Sequence, residues 1–303
     1  MTISELLCRQ FSFSRAELFA YAQTCPHRYK TYPIDKRNSD KKRIISQPSK
    51  DLKAVQRFIL SEFLSSKLSV HDAAKAYKVE TNILDNAKPH LKNRYLLKMD
   101  FRDFFPSIRA WDFVQYLVGK DLVKDDIEAK LLARIFFKNQ DGELLLSIGS
   151  PGSPIISNAL LFPFDEKVSD LCREAGVSYT RYSDDLTFST NNRDLLFSWV
   201  AKIENILEEL KTPTLELNHE KTVFSSKKFN RHVTGITITN DGLASIGRGK
   251  KRALRSRVFN APSSSMEEIA SLRGYISFAN QIESDLVRKL WEKYPEQMRV
   301  IMK

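Results

Sequence analysis

Apolar residues recur along this chain in two rhythms, and those rhythms predict its elements. At helical spacing they mark amphipathic helices. Leu52, Val55, Ile59, Phe63 and Leu64 share one face of a helix over residues 51–68. Ile156, Ala159, Leu160, Phe164, Val168 and Leu171 define another, which opens near Pro154 and stops at Gly176. Leu196, Trp199, Val200, Ile203, Ile206, Leu207 and Leu210 give a third over 193–210. Residues 1–31 (with Ser14 as a cap), 70–94 and 111–138 also read as helical. A last long helix opens on Ser264-x-x-Glu267, a capping box, and carries Ile269, Leu272, Ile276, Ala279, Ile282, Leu286 and Leu290 as its stripe.

The second rhythm is the short apolar run bounded by turn residues, which predicts strands. Such runs lie at 95–99, at 177–182 and 186–188 around the polar turn Ser183-Asp184-Asp185, and at 215–224 as strand, turn and strand. Residues 32–45 read as a hairpin about Asn38-Ser39-Asp40. Residues 233–238 read as a ribbon strand before Asn240-Asp241-Gly242. Strand, helix, hairpin, helix, strand is the order of a split βαβ sheet with helices on one side, an α+β fold.

Charge changes this picture more than composition does. The 303 residues are 42% hydrophobic and 28% charged, ordinary for a globular chain with room for two or three subdomains. The net charge of +11 is not ordinary and points to a polyanionic partner, nucleic acid or an anionic membrane. No apolar run of about 18 residues is present to span a bilayer, and the N-terminus lacks a basic-then-apolar leader pattern. Residues 221–303 hold 16 Lys/Arg against 7 Asp/Glu, a net +9, as expected of phosphate-backbone binding. Cys8, Cys25 and Cys172 have no metal-ligand spacing, which predicts a reducing cytoplasm without disulfides.

The candidate chemistry centres on Asp184-Asp185. A lone Asp-Asp turn is ordinarily a solvated hairpin. Here Asp100 ends a second apolar strand, and carboxylates so disposed suit two hard cations and phosphoryl transfer. Lys36 and Arg43 flank the basic hairpin as charge clamps for a triphosphate. Residues 148–158 put Gly149, Pro151, Gly152 and Pro154 in a loop whose backbone can approach a nucleotide and template. Asp103 is either structural or sets its backbone near a phosphate. Phe104 and Phe105 are either core or, for Phe105, the wall of a sugar pocket that excludes a 2′-hydroxyl.

In this order the pieces resemble reverse transcriptases, and specifically the bacterial retron type, over about residues 30–260. Asp100-Phe101 and Tyr182-Ser183-Asp184-Asp185 look like the two catalytic motifs of that class. Residues 34–45 are similar to its fingers hairpin, and Asn218 to Thr222 to the motif whose lysine, here Lys221, protonates pyrophosphate. Asn86-Ala87-x-x-His90 and Val233-Thr234-Gly235 are similar to motifs that set retron enzymes apart. Where the family commonly has Gln before its Gly-x-Pro-x-Ser-Pro loop this chain has Ile148, so the sugar contact falls to the Gly149 backbone.

The resemblance implies a right-hand polymerase. Fingers would occupy 1–94, with 112–148 inserted from the palm. The palm would occupy 95–111 and 149–228, and a mostly helical thumb 229–303. Asp100, Asp184, Asp185 and the Phe101 carbonyl would hold two Mg²⁺, with Mn²⁺ able to substitute. Lys36, Arg43, Asp103, Phe104, Phe105 and Gly149 would bind the dNTP. Asn86, His90, Val233, Thr234, Gly235, Arg248, Lys250, Lys251, Arg252, Arg255 and Arg257 would hold RNA and primer. The implied activity is RNA-directed DNA synthesis on a cognate structured noncoding RNA, primed from an internal guanosine 2′-hydroxyl. It would give branched RNA-linked single-stranded DNA in antiphage defence. The implied partners are that RNA, the DNA product, a host ribonuclease H and an accessory effector or toxin, in the bacterial cytoplasm without membrane association. An intron-type or diversity-generating reverse transcriptase, and a catalytically silent RNA-binding module built on a palm, are the alternatives.

Overall fold

The computed structural model describes residues 2–35 and 42–303. Helices α1 (Ile3–Phe11) and α2 (Arg15–Thr24) open on reciprocal capping boxes, Thr2 with Glu5 and Ser14 with Glu17. Strands β1 (Tyr29–Asp35) and β2 (Lys42–Pro48) pair antiparallel, with Ile34 opposite Arg43. The expected tip at Asn38-Ser39-Asp40 and the Lys36 side chain lie outside the described residues. Helix α3 (Lys50–Ile59) buries Leu52, Val55 and Ile59, then passes into one π-helical stretch, Leu60–Leu64, short of the predicted end at 68.

Residues 70–94 depart from the expected helix. They hold only α4 (Ile83–Ala87) and a 3₁₀ turn, Lys88–His90. The reason is tertiary. The Ala73 carbonyl accepts from Arg181 N, and Lys75 N donates to the Arg181 carbonyl, both at 2.8 Å. Backbone groups that a helix would have used are committed to the edge of a sheet.

That sheet begins with β3 (Tyr95–Asp100). After it come α5 (Phe104–Ser107), α6 (Ala110–Gly119), α7 (Asp126–Phe136) and the small hairpin β4 (Lys138–Gln140) and β5 (Glu143–Leu145). The helix predicted to run unbroken from Pro154 is two, α8 (Ser153–Leu160) and α9 (Phe162–Ala175). Pro163, in the first turn of α9, has no N–H to carry the ladder across the joint. Strands β6 (Ser178–Tyr182) and β7 (Asp185–Thr190) follow, then α10 (Trp199–Leu210) and β8 (Val223–Ser226). The sheet order is β6-β7-β3-β8. Strand β6 runs parallel to β3 with β7 between them, the split βαβ arrangement expected.

Beyond the sheet, β9 (Arg231–Val233), β10 (Ile236–Ile238) and β11 (Ala244–Ser245) form a ribbon. The run read as one strand over 233–238 is broken at Thr234 (φ 46°) and Gly235 (φ 80°), which make a two-residue turn. Helix α11 (Arg248–Phe259) carries the basic run. The single last helix is three, α12 (Met266–Ile282), α13 (Ser284–Lys293) and α14 (Pro295–Met302). Their capping box sits one residue later than predicted, at Ser265 and Glu268. Non-helical backbone at Glu283 and at Tyr294, the latter before Pro295, separates them, so Leu286 and Leu290 belong to α13.

One apolar core runs from α1 and α3 through α6 and α7 to β3, β7 and Trp199. A second, with Leu254, Val258, Leu272, Ile276, Leu290 and Ile301, belongs to the C-terminal helices. A small third joins Ala87 and Leu96 to Val233, Ile236 and Ile238.

Candidate active site

The acidic hairpin has the shortest connection two strands allow. Tyr182 pairs with Asp185, leaving Ser183 and Asp184 as the turn. Ser183 takes φ 62°, a left-handed conformation that costs a non-glycine residue about 1 kcal/mol or more and persists only when its surroundings impose it. What imposes it is Arg181. Its guanidinium donates to the Ser183 carbonyl at 3.1 Å and to Asn158 Oδ1 at 2.9 Å, and forms a fully buried ion pair with Asp165 at 2.5 Å. Tyr179 donates its hydroxyl to the same Asp165 at 2.7 Å. Helices α8 and α9 thus hold the turn through buried polar bonds.

The register of β3 on β7 sets Asp100 directly opposite Asp185. Phe101 N donates to the Asp184 carbonyl at 3.1 Å, and Asn218 N to the Asp100 carbonyl at 2.7 Å. Asp100, Asp184 and Asp185 therefore meet at one end of the sheet. Lys221 joins them, its ammonium 2.6 Å from Asp100 Oδ1.

Electrostatics follow from that crowding. Burial, then the neighbouring Asp100, raises the Asp184 carboxyl above the usual range, while Lys221 and Arg43 pull it back. Burial and then Asp184 push Asp185 up to about 6. Partial burial works against the Lys221 charge, but its hydrogen bond and charge pairing with Asp100, with Asp184 and Asp185 adding, raise its pKa overall. Among the described residues no three His, Cys, Asp or Glu side chains converge tightly enough to hold an ion by themselves. An all-oxygen set strained by its own repulsion nonetheless fits Mg²⁺, which takes one or two carboxylates and completes its shell with phosphate oxygens and water.

Around this centre the other expected residues divide. Arg43 is exposed on β2, and its charge reaches Asp184. Gly149 has φ 120°, and a Cβ there would come within 3.1 Å of the Ser46 carbonyl, so only glycine lets the loop lie against β2. Ser46 N donates to the Ile148 carbonyl at 2.8 Å, tying the basic hairpin to that loop. Asp103 is exposed at φ 42° and caps nothing, and Phe105 is half-buried. Phe104 is 4% exposed and stacks on Phe101 at 5.6 Å, so its ring packs in the core.

Asn86, His90 and Val233, expected as RNA contacts, are all buried. Asn86 donates to the Thr234 hydroxyl at 3.1 Å. His90, read from sequence as a surface residue or RNA contact, lies between the sheet's Ser189 and Thr180 hydroxyls at 2.7 and 2.9 Å. Burial drops its pKa to about 3 and keeps the ring neutral. Gly235 is exposed, and its carbonyl accepts from Lys250 at 3.3 Å. Lys251 pairs with Glu283 at 2.5 Å and so is neutralised within the protein. Arg257 donates to Ser271 at 3.2 Å. Arg248, Arg252 and Arg255 lie at i, i+4 and i+7 of α11, exposed and unpaired with any carboxylate among the described residues.

Sequence reasoning missed the Arg181, Asp165 and Asn158 network. The available signal was Arg181 as the one charge of β6, and Asp165 at the helical spacing of the apolar stripe Phe164, Val168 and Cys172 of α9, since unpaired charges are almost never buried.

A sheet-end carboxylate cluster on a split βαβ palm defines a nucleotide-polymerising class of enzyme. The family described as "Reverse transcriptase (RNA-dependent DNA polymerase)" matches residues 34–238. The chain is 42% identical over 274 residues to the retron Ec83 reverse transcriptase of Escherichia coli, covering 88% of this chain and 87% of that one. It is 31% identical over 277 residues to the retron Ec86 reverse transcriptase of the same species, covering 88% and 80%. The chain belongs to the retron-type reverse transcriptases, RNA-directed DNA polymerases.

Proposed function

We propose that this chain copies its own structured noncoding RNA, beginning from an internal guanosine 2′-hydroxyl and leaving DNA branched from RNA. The observation that carries the chemistry is the meeting of Asp100, Asp184 and Asp185 with Lys221 at the end of the sheet. In this reading the fingers would span 1–94 with 112–148 inserted from the palm, the palm 95–111 and 149–228, and the thumb 229–303. Asp100, Asp184, Asp185 and the Phe101 carbonyl would hold the divalent cations. When bound, two Mg²⁺ would neutralise phosphate charge and activate the attacking hydroxyl.

The chain's own groups supply the rest. Arg43 and Lys36 would grip the triphosphate, with Asp103 and the Gly149 backbone beside it and Phe105 against the sugar. Lys221, freed once Asp100 is otherwise occupied, would hand its proton to the leaving pyrophosphate. Arg248, Arg252 and Arg255 would hold the RNA–DNA duplex by phosphate and shape, with little base reading. Template trimming by a host ribonuclease H, an effector or toxin partner, antiphage defence and a cytoplasmic setting complete the reading.

Primer extension on an RNA template with Mg²⁺ tests the chemistry. The double variant Asp184→Asn/Asp185→Asn should extend nothing, and extension at the wild-type rate would remove the site assignment. Sequencing the nucleic acid that copurifies tests the priming. Unbranched DNA, or RNA without a guanosine branch point, would refute it.

A further inference from the structure

Tyr77 stands out on the face beside the acidic turn. It is a large aromatic residue 54% exposed, at φ 61°, and its hydroxyl lies 3.3 Å from Ser183 Oγ. An exposed ring gains nothing from the core, and a bulky side chain in the left-handed region is strained. The strain is imposed from the segment that precedes it. Ala73 and Lys75 are bonded to the backbone of Arg181, and the Ala76 carbonyl accepts from Asn158 Nδ2 at 3.0 Å. Arg181 and Asn158 therefore hold the Tyr77 loop as well as the Ser183-Asp184 turn. Tyr182, half-buried, follows Arg181 on the same edge strand.

The order across the sheet gives this position a meaning. From one side to the other come the Tyr77 segment on the β6 edge, the Ser183-Asp184 turn, the Asp185 and Asp100 pair, and Lys221 beside β8. Lys221 is on the flank assigned to the leaving pyrophosphate. Phosphoryl transfer runs roughly in line, so the attacking hydroxyl enters from the side away from the leaving group. Tyr77 occupies that side.

We infer that Tyr77 is a primer-binding residue, its ring packing against the terminal nucleotide that carries the attacking hydroxyl. The inference rests on the polymerase reading above. The Ser183 hydrogen bond orients the ring, and the strained backbone keeps it from folding back onto the protein.

The test is single-nucleotide addition on oligo(dT) annealed to poly(rA). Primer–template is varied at saturating dTTP, then dTTP at saturating primer–template, for wild type, Tyr77→Ala and Tyr77→Phe. Loss of an aromatic stack predicts that Tyr77→Ala raises the KM for primer–template about tenfold, with the KM for dTTP within about twofold of wild type. Tyr77→Phe keeps the ring, and its rise is about threefold. An unchanged primer–template KM in Tyr77→Ala overturns the inference. So does an equal rise in both KM values, which would mean that the turn as a whole had moved. Wild-type chain that extends nothing overturns the polymerase reading and this inference with it.

Discussion

Asn86 donates its side-chain amide to the Thr234 hydroxyl over 3.1 Å, although 148 residues separate them in sequence. Thr234 in turn donates to the Ile83 carbonyl at 3.4 Å. The two motifs that mark this chain as retron-like therefore meet each other, α4 against the β9–β10 turn. What they secure is the attachment of the C-terminal ribbon to the sheet.

Thr234→Val should strand the buried Asn86 amide and lower unfolding free energy by about 1–3 kcal/mol. Urea titration measures this. The salt dependence of RNA binding should be unchanged, and a shallower slope in this variant would return the motif to RNA contact.

Two groups, Asp185 half-buried and His90 buried, give stability opposite dependences on pH. The Asp185 carboxyl, at about 6 against 3.8 for a free one, holds its proton more tightly folded than unfolded. Metal-free protein is thus relieved of this carboxylate's cost below about pH 4. It loses on the order of 2 kcal/mol as pH rises through 6. His90, at about 3 against 6.5, refuses a proton that the unfolded chain accepts, so its contribution is lost as pH falls below 6.5. Asp185→Asn should raise the melting temperature of metal-free protein at pH 8 and not at pH 4, while extension collapses. Equal shifts at both pH values would show that charge is not the cause.

How much of this was legible depended on whether a residue's role is local. Asp100, Asp184 and Asp185 could be read because each ends or joins an apolar run, and strand ends are where a sheet presents its polar groups. The Ser14 cap is local and was legible too. Arg181 was not, because its partners Asp165 and Asn158 lie on other elements and leave no periodic trace. Residues 70–94 were misread for the same reason, their backbone bonds being spent on a strand about a hundred positions away. Thr234 reads as strand because a β-branched residue favours one. The Asn86 contact and the turn at Gly235 override that preference.

Replacing Arg248, Arg252 and Arg255 by Gln should weaken binding to a structured RNA and lower the slope of log K against log[salt] by about 2 to 3. Filter binding across a salt series reads it. Lys251→Gln should leave that slope alone and instead lower the melting temperature, because it removes the cation paired with Glu283. The opposite pattern would exchange the roles of the two groups.

Asp165→Ala should cost about 3–5 kcal/mol, because it leaves the Arg181 guanidinium charged and buried without its partner. A double variant, Asp165→Leu with Arg181→Met, should recover most of the stability. Extension should not recover with it, since the Ser183 carbonyl would still lack its donor. Recovery of both would mean that the pair serves packing alone.

The Arg181 guanidinium also ties the acids to helices that carry none of them. Until α8 and α9 close over β6, the Ser183 carbonyl lacks its buried donor, and the turn keeps only its strand pairing, the Phe101 bond and the Tyr77 contact. A half-unfolded chain can therefore carry all three acids with their geometry unset.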